Sequence, residues 1–224
     1  MKIRLVLFDG YGTLFEGAFD KLLEICDRIV QENGLEMNAR SFLDVWDGYF
    51  FPMVREGDFV AMRTANSVSL KRAFKDLKVD DSAQTYTDQL FDCLATAPVF
   101  SDVHTTLVAL DGTAHGIVSN ADSDHLREAI ERNGLKFPVV VSSESARSYK
   151  PNPEIFLDAL TQFECKPNET IYVGDSQEDD IVGAKGAGIQ IVWLNRTGEK
   201  LKPEIPEPDY EIRSLTDLLN ILQK

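Results

Sequence analysis

The segment from Ile3 to Phe15 places the strongest constraint on how this chain can fold. Residues 3–8 form a short, mostly apolar run, the pattern of a strand that is buried on both faces. The run ends at Asp9, and Gly10 and Gly12 follow within three residues. A carboxylate in a flexible loop at the carboxyl end of a buried strand is where open α/β sheets build their sites. The same residue types are also common in simple turns, so this segment alone leaves both interpretations open.

The part of the chain after residue 100 alternates between strand and helix patterns. Short apolar runs predict further strands at 115–118, 137–141, 170–173 and 189–194. Helical spacing and capping signals predict helices at 102–110, 122–132, 153–162, 179–187 and 214–222. Because strands that alternate with helices form parallel sheets, we expect an α/β fold with a Rossmann-like, doubly wound parallel sheet of about five strands.

Residues 16–95 have a different pattern, because no strand-like run interrupts their helical spacing. Four helices are predicted, near 19–33, 39–51, 58–77 and 82–94, and Pro52 is expected to end the second of them. This segment follows the first strand, so it should lie over the carboxyl end of the sheet. We therefore predict two units, a catalytic core from 1–15 and 96–224 and an inserted all-helical cap from 16–95.

The charge balance limits the partners that the protein can have. With 23 basic and 37 acidic residues the formal charge is −14, which argues against nucleic acid and against anionic membranes. A small anionic molecule is still a suitable partner, because a metal ion and one or two Lys can invert the local field. The three cysteines, Cys26, Cys93 and Cys165, are widely spaced, which favours free thiols. We expect a cytoplasmic protein, since no secretory or membrane-length apolar pattern is evident.

Three later segments also place polar side chains after predicted strands or before helices. They contain Ser119 and Asn120, then Lys150, then Asp175 with Asp179 and Asp180. Each has an ordinary explanation, because Ser and Asn cap helices, a lone Lys is usually solvated, and acids are favoured in a helix first turn. The carboxyl ends of parallel strands nevertheless meet at one edge of a sheet, so these side chains should lie together.

The order of these segments, taken together, resembles the haloacid dehalogenase-like hydrolase superfamily, in the branch with a helical cap after the first strand. All four of its motifs are present: Asp9 to Leu14, Ser119, Lys150, and Asp175 to Asp180 with the trailing G-A-K-G-A-G. The last motif is the most specific. The resemblance implies the fold predicted above and covalent catalysis through an aspartate.

The resemblance also implies individual roles. Asp9 would be the nucleophile, and a catalytic set would be completed by Thr13, Ser119 and Lys150. Thr13 and Ser119 would bind phosphoryl oxygens, while Lys150 would supply a fixed positive charge. The substrate would further contact Gly10, Tyr11, Ser119 and Asn120.

The same resemblance implies a Mg²⁺ site. Asp9, Asp175 and the backbone carbonyl of Tyr11 would hold the ion, because Mg²⁺ prefers hard oxygen ligands. Asp179 and Asp180 compete for the supporting acidic position, and the spacing of the fourth motif favours Asp180.

Tyr11 departs from the phosphatase pattern, which usually has a second Asp at this position. That Asp protonates the leaving group, and general acid–base help is worth about 10²–10⁴-fold in rate. Tyr has an ordinary pKa near 10, so it does not act as a base in the same way at neutral pH. The form D-x-Y-G-T instead resembles the haloacid dehalogenases, which expel halide and need no metal.

Other residues depart from the dehalogenase pattern. The fourth motif is G-D-S rather than S-S-N, and Asp47 follows Trp46 where those enzymes have a cap Arg that receives halide. Arg55 and Arg63 could substitute for that Arg. We therefore favour a Mg²⁺-dependent phosphatase acting on a small phosphomonoester through an aspartyl-phosphate. The alternatives are a 2-haloacid dehalogenase with an ester on Asp9, and a catalytically weak metal- or phosphate-binding protein.

Overall fold

A computed structural model describes residues 3–110 and 112–223, and within them one parallel sheet of six strands lies at the centre. The strands are β1 (Leu5–Phe8), β2 (Ala114–Ser119), β3 (Val140–Ser142), β4 (Thr170–Gly174), β5 (Gln190–Leu194) and β6 (Tyr210–Ile212). Their order is β3-β2-β1-β4-β5-β6, and every neighbouring pair is parallel. After β1 the chain adds β2 and β3 on one side of that strand, and it then returns to add β4, β5 and β6 on the other side. The point of reversal beside β1 is where open α/β sheets bind ligands.

The helices cover both faces of this sheet and also form a separate group between β1 and β2. They are α1 (Ala18–Glu32), α2 (Ala39–Arg55), α3 (Met62–Leu77), α4 (Ala83–Ala95), α5 (Val103–Ala109), α6 (Ser123–Arg132), α7 (Ser143–Ala146), α8 (Pro153–Phe163), α9 (Val182–Gly186) and α10 (Leu218–Leu222). A π-helical turn at Gln177–Ile181 leads into α9, and 3₁₀ turns lie at Pro167–Glu169 and Leu215–Asp217. None of these helices is long and apolar enough to cross a membrane.

The alternating side chains of the strands explain why helices lie on both faces. Val6 and Phe8 of β1 pack in a core with α5, α6 and α10, whereas Leu5 and Leu7 pack in a second core with α8 and α9. All four are fully buried. A strand with two buried faces gives the continuous apolar run seen in the sequence. The predicted α/β fold with a doubly wound parallel sheet is thus confirmed.

Helices α1–α4, hereafter the α1–α4 unit, share a third hydrophobic core. Its largest buried members include Phe42, Trp46, Phe74 and Phe91. The Trp46 indole N–H donates to the Ser69 hydroxyl at 2.9 Å, which satisfies its one polar atom inside the unit. An inserted helical cap needs a hydrophobic core of its own, and these four helices have one. The domain boundaries at 16–95 stay a prediction.

The structure corrects three details of the predicted elements. Helix α2 passes through Pro52 and ends at Arg55, because proline removes only its own N–H donor and its carbonyl still accepts the Glu56 N–H at 3.0 Å. The strand predicted at 137–141 is shorter and later, at Val140–Ser142. The strand β6 was not predicted, since only Ile212 of its three residues is buried and the pattern is too short to recognise.

Asp122, in the loop between β2 and α6, connects the sheet to the α1–α4 unit. Its side chain is buried, and its two oxygens accept the backbone N–H groups of Met62 at 2.6 Å and Arg63 at 2.8 Å. These are the first two residues of α3, whose own N-cap residue, Ala61, has no polar side chain. A carboxylate from another element therefore caps this helix.

Replacing Asp122 by Ala is expected to lower the free energy of unfolding by about 1–3 kcal/mol, because two partly buried N–H groups lose a charged acceptor. Chemical denaturation of the variant measures this loss. Asp92→Ala removes an exposed carboxylate from α4 and is the matched control, with an expected change under about 0.5 kcal/mol. Equal stabilities of the two variants would contradict the capping role of Asp122.

Candidate active site

Three carboxylates meet at the carboxyl edge of the sheet, next to the point of reversal. Asp9, Asp175 and Asp180 each offer an oxygen, and these atoms all lie within 4.8 Å of one another. The register explains this, because Phe8 pairs with both Ile117 and Val173 and so aligns the ends of β1, β2 and β4. Asp180 reaches the same point from the π-helical turn after β4. Asp9 is only 4% exposed and Asp180 is fully buried.

Lys150 lies between two of these carboxylates. Its Nζ donates to Oδ1 of Asp9 at 2.5 Å, to Oδ1 of Asp180 at 2.7 Å and to the hydroxyl of Tyr172 at 3.1 Å. An ammonium has three donors, so all of them are used. The side chain is only 3% exposed. The sequence predicted that Lys150 would come near Asp9, and the structure brings them into direct contact.

Two hydroxyls from other loops complete the contacts of the acidic cluster. Ser119 Oγ donates to Oδ1 of Asp9 at 3.4 Å, and Thr13 Oγ1 donates to Oδ1 of Asp175 at 3.1 Å. The structure therefore brings together all four residues of the predicted catalytic set. Their proposed roles in a reaction stay predictions.

Asn120 lies beside Lys150 rather than beside the three carboxylates. Its side-chain oxygen accepts the Lys150 backbone N–H at 2.8 Å, and its Nδ2 donates to the Lys150 carbonyl at 3.2 Å. These paired bonds fix the main chain that carries Lys150. Contact of Asn120 with a substrate stays a prediction.

Asp179 and Asp180 differ in their surroundings. The carboxylate of Asp180 is in the acidic cluster, and its Oδ2 accepts the Ser176 N–H at 2.9 Å. Asp179 is partly buried outside the cluster, where its carboxylate lies 3.6 Å from the guanidinium of Arg55 on α2 and accepts from Asn120 Nδ2 at 3.5 Å. This geometry favours Asp180 as the supporting acid.

Glycines allow the loops to approach the acidic cluster. A Cβ on Gly12 would lie 2.4 Å from Oδ2 of Asp175, and Gly12 also has a φ of +96° that disfavours other residues. A Cβ on Gly174 would lie 2.3 Å from Cγ of Asp180. Both glycines belong to predicted motifs, Gly12 to the first and Gly174 to the G-D-S of the fourth.

The cluster carries an excess of negative charge, because one ammonium faces three carboxylates. Burial raises the pKa of Asp9 to about 7; the nearby charge of Asp180 adds to this increase, although Lys150 opposes it. Burial, followed by the charges of Asp9 and Asp180, raises the pKa of Asp175 well above its ordinary value. Full ionisation of the cluster therefore needs additional positive charge.

The donor set fits a divalent cation such as Mg²⁺. Carboxylate oxygens are the ligands that this ion prefers, and a second cation beside Lys150 would offset the excess negative charge. Asp9, Asp175 and Asp180 would hold it. The backbone carbonyl of Tyr11 as a further ligand stays a prediction.

The side chain of Tyr11 turns toward the α1–α4 unit. Its hydroxyl donates to the Leu94 carbonyl at the end of α4, at 3.2 Å, and its ring packs against Phe15 and His125 with centroids 5.4 and 5.9 Å away. Burial, and then the charge of Asp9, raises the pKa of Tyr11, so the hydroxyl stays protonated at neutral pH. Tyr11 therefore does not supply the base that an Asp would provide here.

Sequence reasoning missed three residues that support the site. Tyr172 contacts Lys150, the Trp193 indole N–H donates to the Asp175 carbonyl at 2.9 Å, and Arg196 donates to the Thr13 carbonyl at 3.2 Å. Tyr172 and Trp193 could have been identified from the sequence, because a Tyr or Trp in a buried strand needs a partner for its polar atom.

Known proteins resemble this chain over most of its length. The family described as haloacid dehalogenase-like hydrolase matches residues 18–194. A glyceraldehyde 3-phosphate phosphatase of Pyrococcus furiosus is 37% identical over 238 residues, covering 100% of this chain and 94% of that enzyme. Haloacetate dehalogenase H-2 of a Moraxella species is 24% identical over 232 residues, covering 99% of this chain and 98% of that enzyme.

Solved structures share the fold as well. The L-2-haloacid dehalogenase of Xanthobacter autotrophicus superimposes with a TM-score of 0.80 at 20% identity, covering 99% of this chain and 98% of that chain. At this identity the likeness concerns the fold alone. The family match covers most of the chain, and the alignment with the phosphatase relative covers all of this chain. The protein belongs to the haloacid dehalogenase-like hydrolases.

Proposed function

We propose that the protein is a Mg²⁺-dependent phosphatase that acts on a small phosphomonoester through an aspartyl-phosphate on Asp9. The observation that carries this proposal is the cluster of Asp9, Asp175 and Asp180, whose combined negative charge exceeds the positive charge of Lys150; Asp9 and Asp180 are buried and Asp175 is partly buried. A site built to displace halide without metal gains nothing from two further carboxylates beside Asp9, because withdrawing unpaired charge from water is costly. The phosphatase relative supports a phosphorylated small molecule as substrate.

The contacts of Asp9 support its role as nucleophile. Lys150 and Ser119 both donate to Oδ1, which fixes the rotation of the carboxylate relative to the sheet. Asp9 would attack phosphorus, forming a bond to it as the bond from phosphorus to the ester oxygen breaks, and water would then hydrolyse the phospho-aspartate. When bound, Mg²⁺ would reduce the repulsion between Asp9 and an anionic phosphoryl group.

A dehalogenase is the second candidate, favoured by Tyr11 and by the dehalogenase relative. The cap residues that would receive halide offer less support. Asp47 follows Trp46, which is buried in the core of the α1–α4 unit. Arg55 is paired with Asp179, and Arg63 is close to Asp88 and Asp124. A departing anion would compete with these carboxylates for either guanidinium.

One panel of assays distinguishes the candidates. Release of phosphate from an aryl phosphate and of halide from 2-chloropropionate is measured, each with Mg²⁺ and with EDTA. Phosphate release that needs Mg²⁺ supports our proposal, and halide release that survives EDTA overturns it. No turnover in any well would instead favour a binding protein.

Tyr11→Asp is expected to raise phosphatase activity about tenfold on alkyl phosphates, because the new carboxyl can protonate a poor leaving group. The gain should be small on an aryl phosphate, whose phenolate leaves without a proton. Tyr11→Asn has nearly the same shape without the acid and is the matched control, since both variants lose the bond to the Leu94 carbonyl. Steady-state rates of the three proteins measure the effect. Equal rates for the Asp and Asn variants on alkyl phosphates would contradict a site that lacks only its acid.

A further inference from the structure

We propose that Tyr172 is a positioning residue, whose hydroxyl holds the Lys150 ammonium between Asp9 and Asp180. Tyr172 lies in the middle of β4 and is fully buried. The sequence places it in an apolar run, and its side chain belongs to the core shared with α8 and α9. Its hydroxyl nevertheless lies within hydrogen-bond distance of the acidic cluster.

The hydroxyl has three polar neighbours. It accepts from Lys150 Nζ at 3.1 Å and lies 2.9 Å from Oδ1 of Asp180 and 3.0 Å from the Val118 carbonyl. Its single proton goes to one of these two acceptors, and its lone pairs remain available to the ammonium. The hydroxyl therefore joins the loop that carries Lys150, the turn that carries Asp180 and the end of β2.

The position of the ammonium depends on this third contact. Asp9 and Asp180 attract Nζ from two directions, at 2.5 and 2.7 Å, and two contacts alone leave it free to shift toward either carboxylate. The third N–H of the ammonium donates to the hydroxyl oxygen of Tyr172, which is carried by the strand β4. Phe156 packs edge-on against the Tyr172 ring, with centroids 4.9 Å apart, and so limits movement of the ring.

Removing the hydroxyl would leave one N–H of Lys150, whose side chain is only 3% exposed, without a partner. A buried donor without an acceptor is unfavourable, so Nζ would move toward one of the carboxylates. Either shift changes the orientation of Asp9. This inference rests on the proposed role of Asp9 as nucleophile but not on whether phosphorus or carbon is attacked.

The test is Tyr172→Phe, assayed on whichever substrate class the wild-type protein hydrolyses. We expect kcat to fall about tenfold and KM to change less than about twofold, since supporting residues of metal sites typically contribute 10–100-fold. Tyr86→Phe is the matched control. It removes a tyrosine hydroxyl that contacts Glu32 and Asp81 outside the site, and its kcat should stay within about twofold of the wild type. A wild-type kcat in Tyr172→Phe, or an equal loss in Tyr86→Phe, would overturn the proposal.

A crystal structure of Tyr172→Phe gives a second measurement that does not depend on activity. We expect Nζ of Lys150 to leave its bridging position and one of its two carboxylate contacts to lengthen beyond 3.5 Å. An unmoved ammonium, or a water that replaces the hydroxyl, would overturn the proposal even if the protein proves inactive on phosphate esters. Failure of the assay panel alone would count against the proposed function and not against this geometry.

Coupling between the two residues provides a third test, in a background that lacks the ammonium. In Lys150→Met the ammonium is absent, so the hydroxyl has no donor to hold. Adding Tyr172→Phe to Lys150→Met should therefore change the residual activity less than about twofold. A further tenfold loss in the double variant would show that Tyr172 acts by another route and would overturn the proposal.

Discussion

Asp9→Asn is expected to eliminate turnover, by at least about 10³-fold, while the protein stays folded. The amide is a poor nucleophile and does not form the covalent intermediate. It can still accept from Lys150 and Ser119, so the contacts around Oδ1 need not be lost. Loss of one negative charge should also reduce repulsion with Asp175 and Asp180, so we expect no decrease in melting temperature. Steady-state assays with circular dichroism measure both effects.

Turnover in ¹⁸O-labelled water identifies which bond is hydrolysed. An aspartyl-phosphate that is cleaved at phosphorus places the label in phosphate and leaves Asp9 unlabelled. An ester on Asp9 that is cleaved at its carbonyl places the label in Asp9, which mass spectrometry of the peptide detects. Asp92→Asn, an exposed carboxylate on α4, is the control and should keep wild-type activity. An active Asp9→Asn variant would end the covalent mechanism in either form.

Sheet topology explains why much of the site could be predicted. Asp9 and Asp175 follow β1 and β4, Ser119 is the last residue of β2, and parallel pairing aligns the carboxyl ends of these strands. Apolar runs and turn residues are local features, and the parallel arrangement follows from their alternation with helices. Three residues that lie 56 to 166 positions apart in the chain could therefore be assigned to one edge of the sheet.

Contacts that depend on side-chain packing could not be predicted in this way. The hydroxyl of Tyr172, on β4, meets Lys150, in the loop before α8, only in the tertiary fold, and nothing in I-Y-V-G-D indicates which way that tyrosine turns. The partner of Tyr11, the Leu94 carbonyl, lies 83 residues away in the α1–α4 unit. Asp122 resembles a helix cap in the sequence, and it does cap a helix, but one that lies 60 residues earlier. Local patterns carry no information about such partners.

Asp175→Asn is expected to have opposite effects on activity and on metal-free stability. Turnover should fall by at least about 10²-fold, because the acidic cluster loses one of its three cation ligands. Stability without metal should rise by about 0.5–2 kcal/mol at neutral pH, since a buried charge that repels Asp9 and Asp180 is removed. Burial and those charges raise the pKa of Asp175 in the folded protein, so its ionisation costs stability as pH rises above the ordinary value of 3.8. The gain should therefore be clear at pH 7.5 and small near pH 4.

Melting with and without Mg²⁺ tests the same variant as a metal site. At a hundred times its dissociation constant, a bound ion stabilises the folded state by about 2.7 kcal/mol, or roughly 5–10 °C for a chain of this size. Wild type should show this shift and Asp175→Asn should lose it.

Asp179→Asn removes an acid from the same motif that contacts Arg55 instead of the cluster, so it should keep the shift. If Asp179→Asn lost the shift in melting temperature and Asp175→Asn kept it, the cation would be bound by Asp179 and not by Asp175. A wild-type melting temperature indifferent to Mg²⁺ would leave the three clustered carboxylates without their proposed counter-charge, and the metal-independent displacement of halide would become the better explanation of Tyr11.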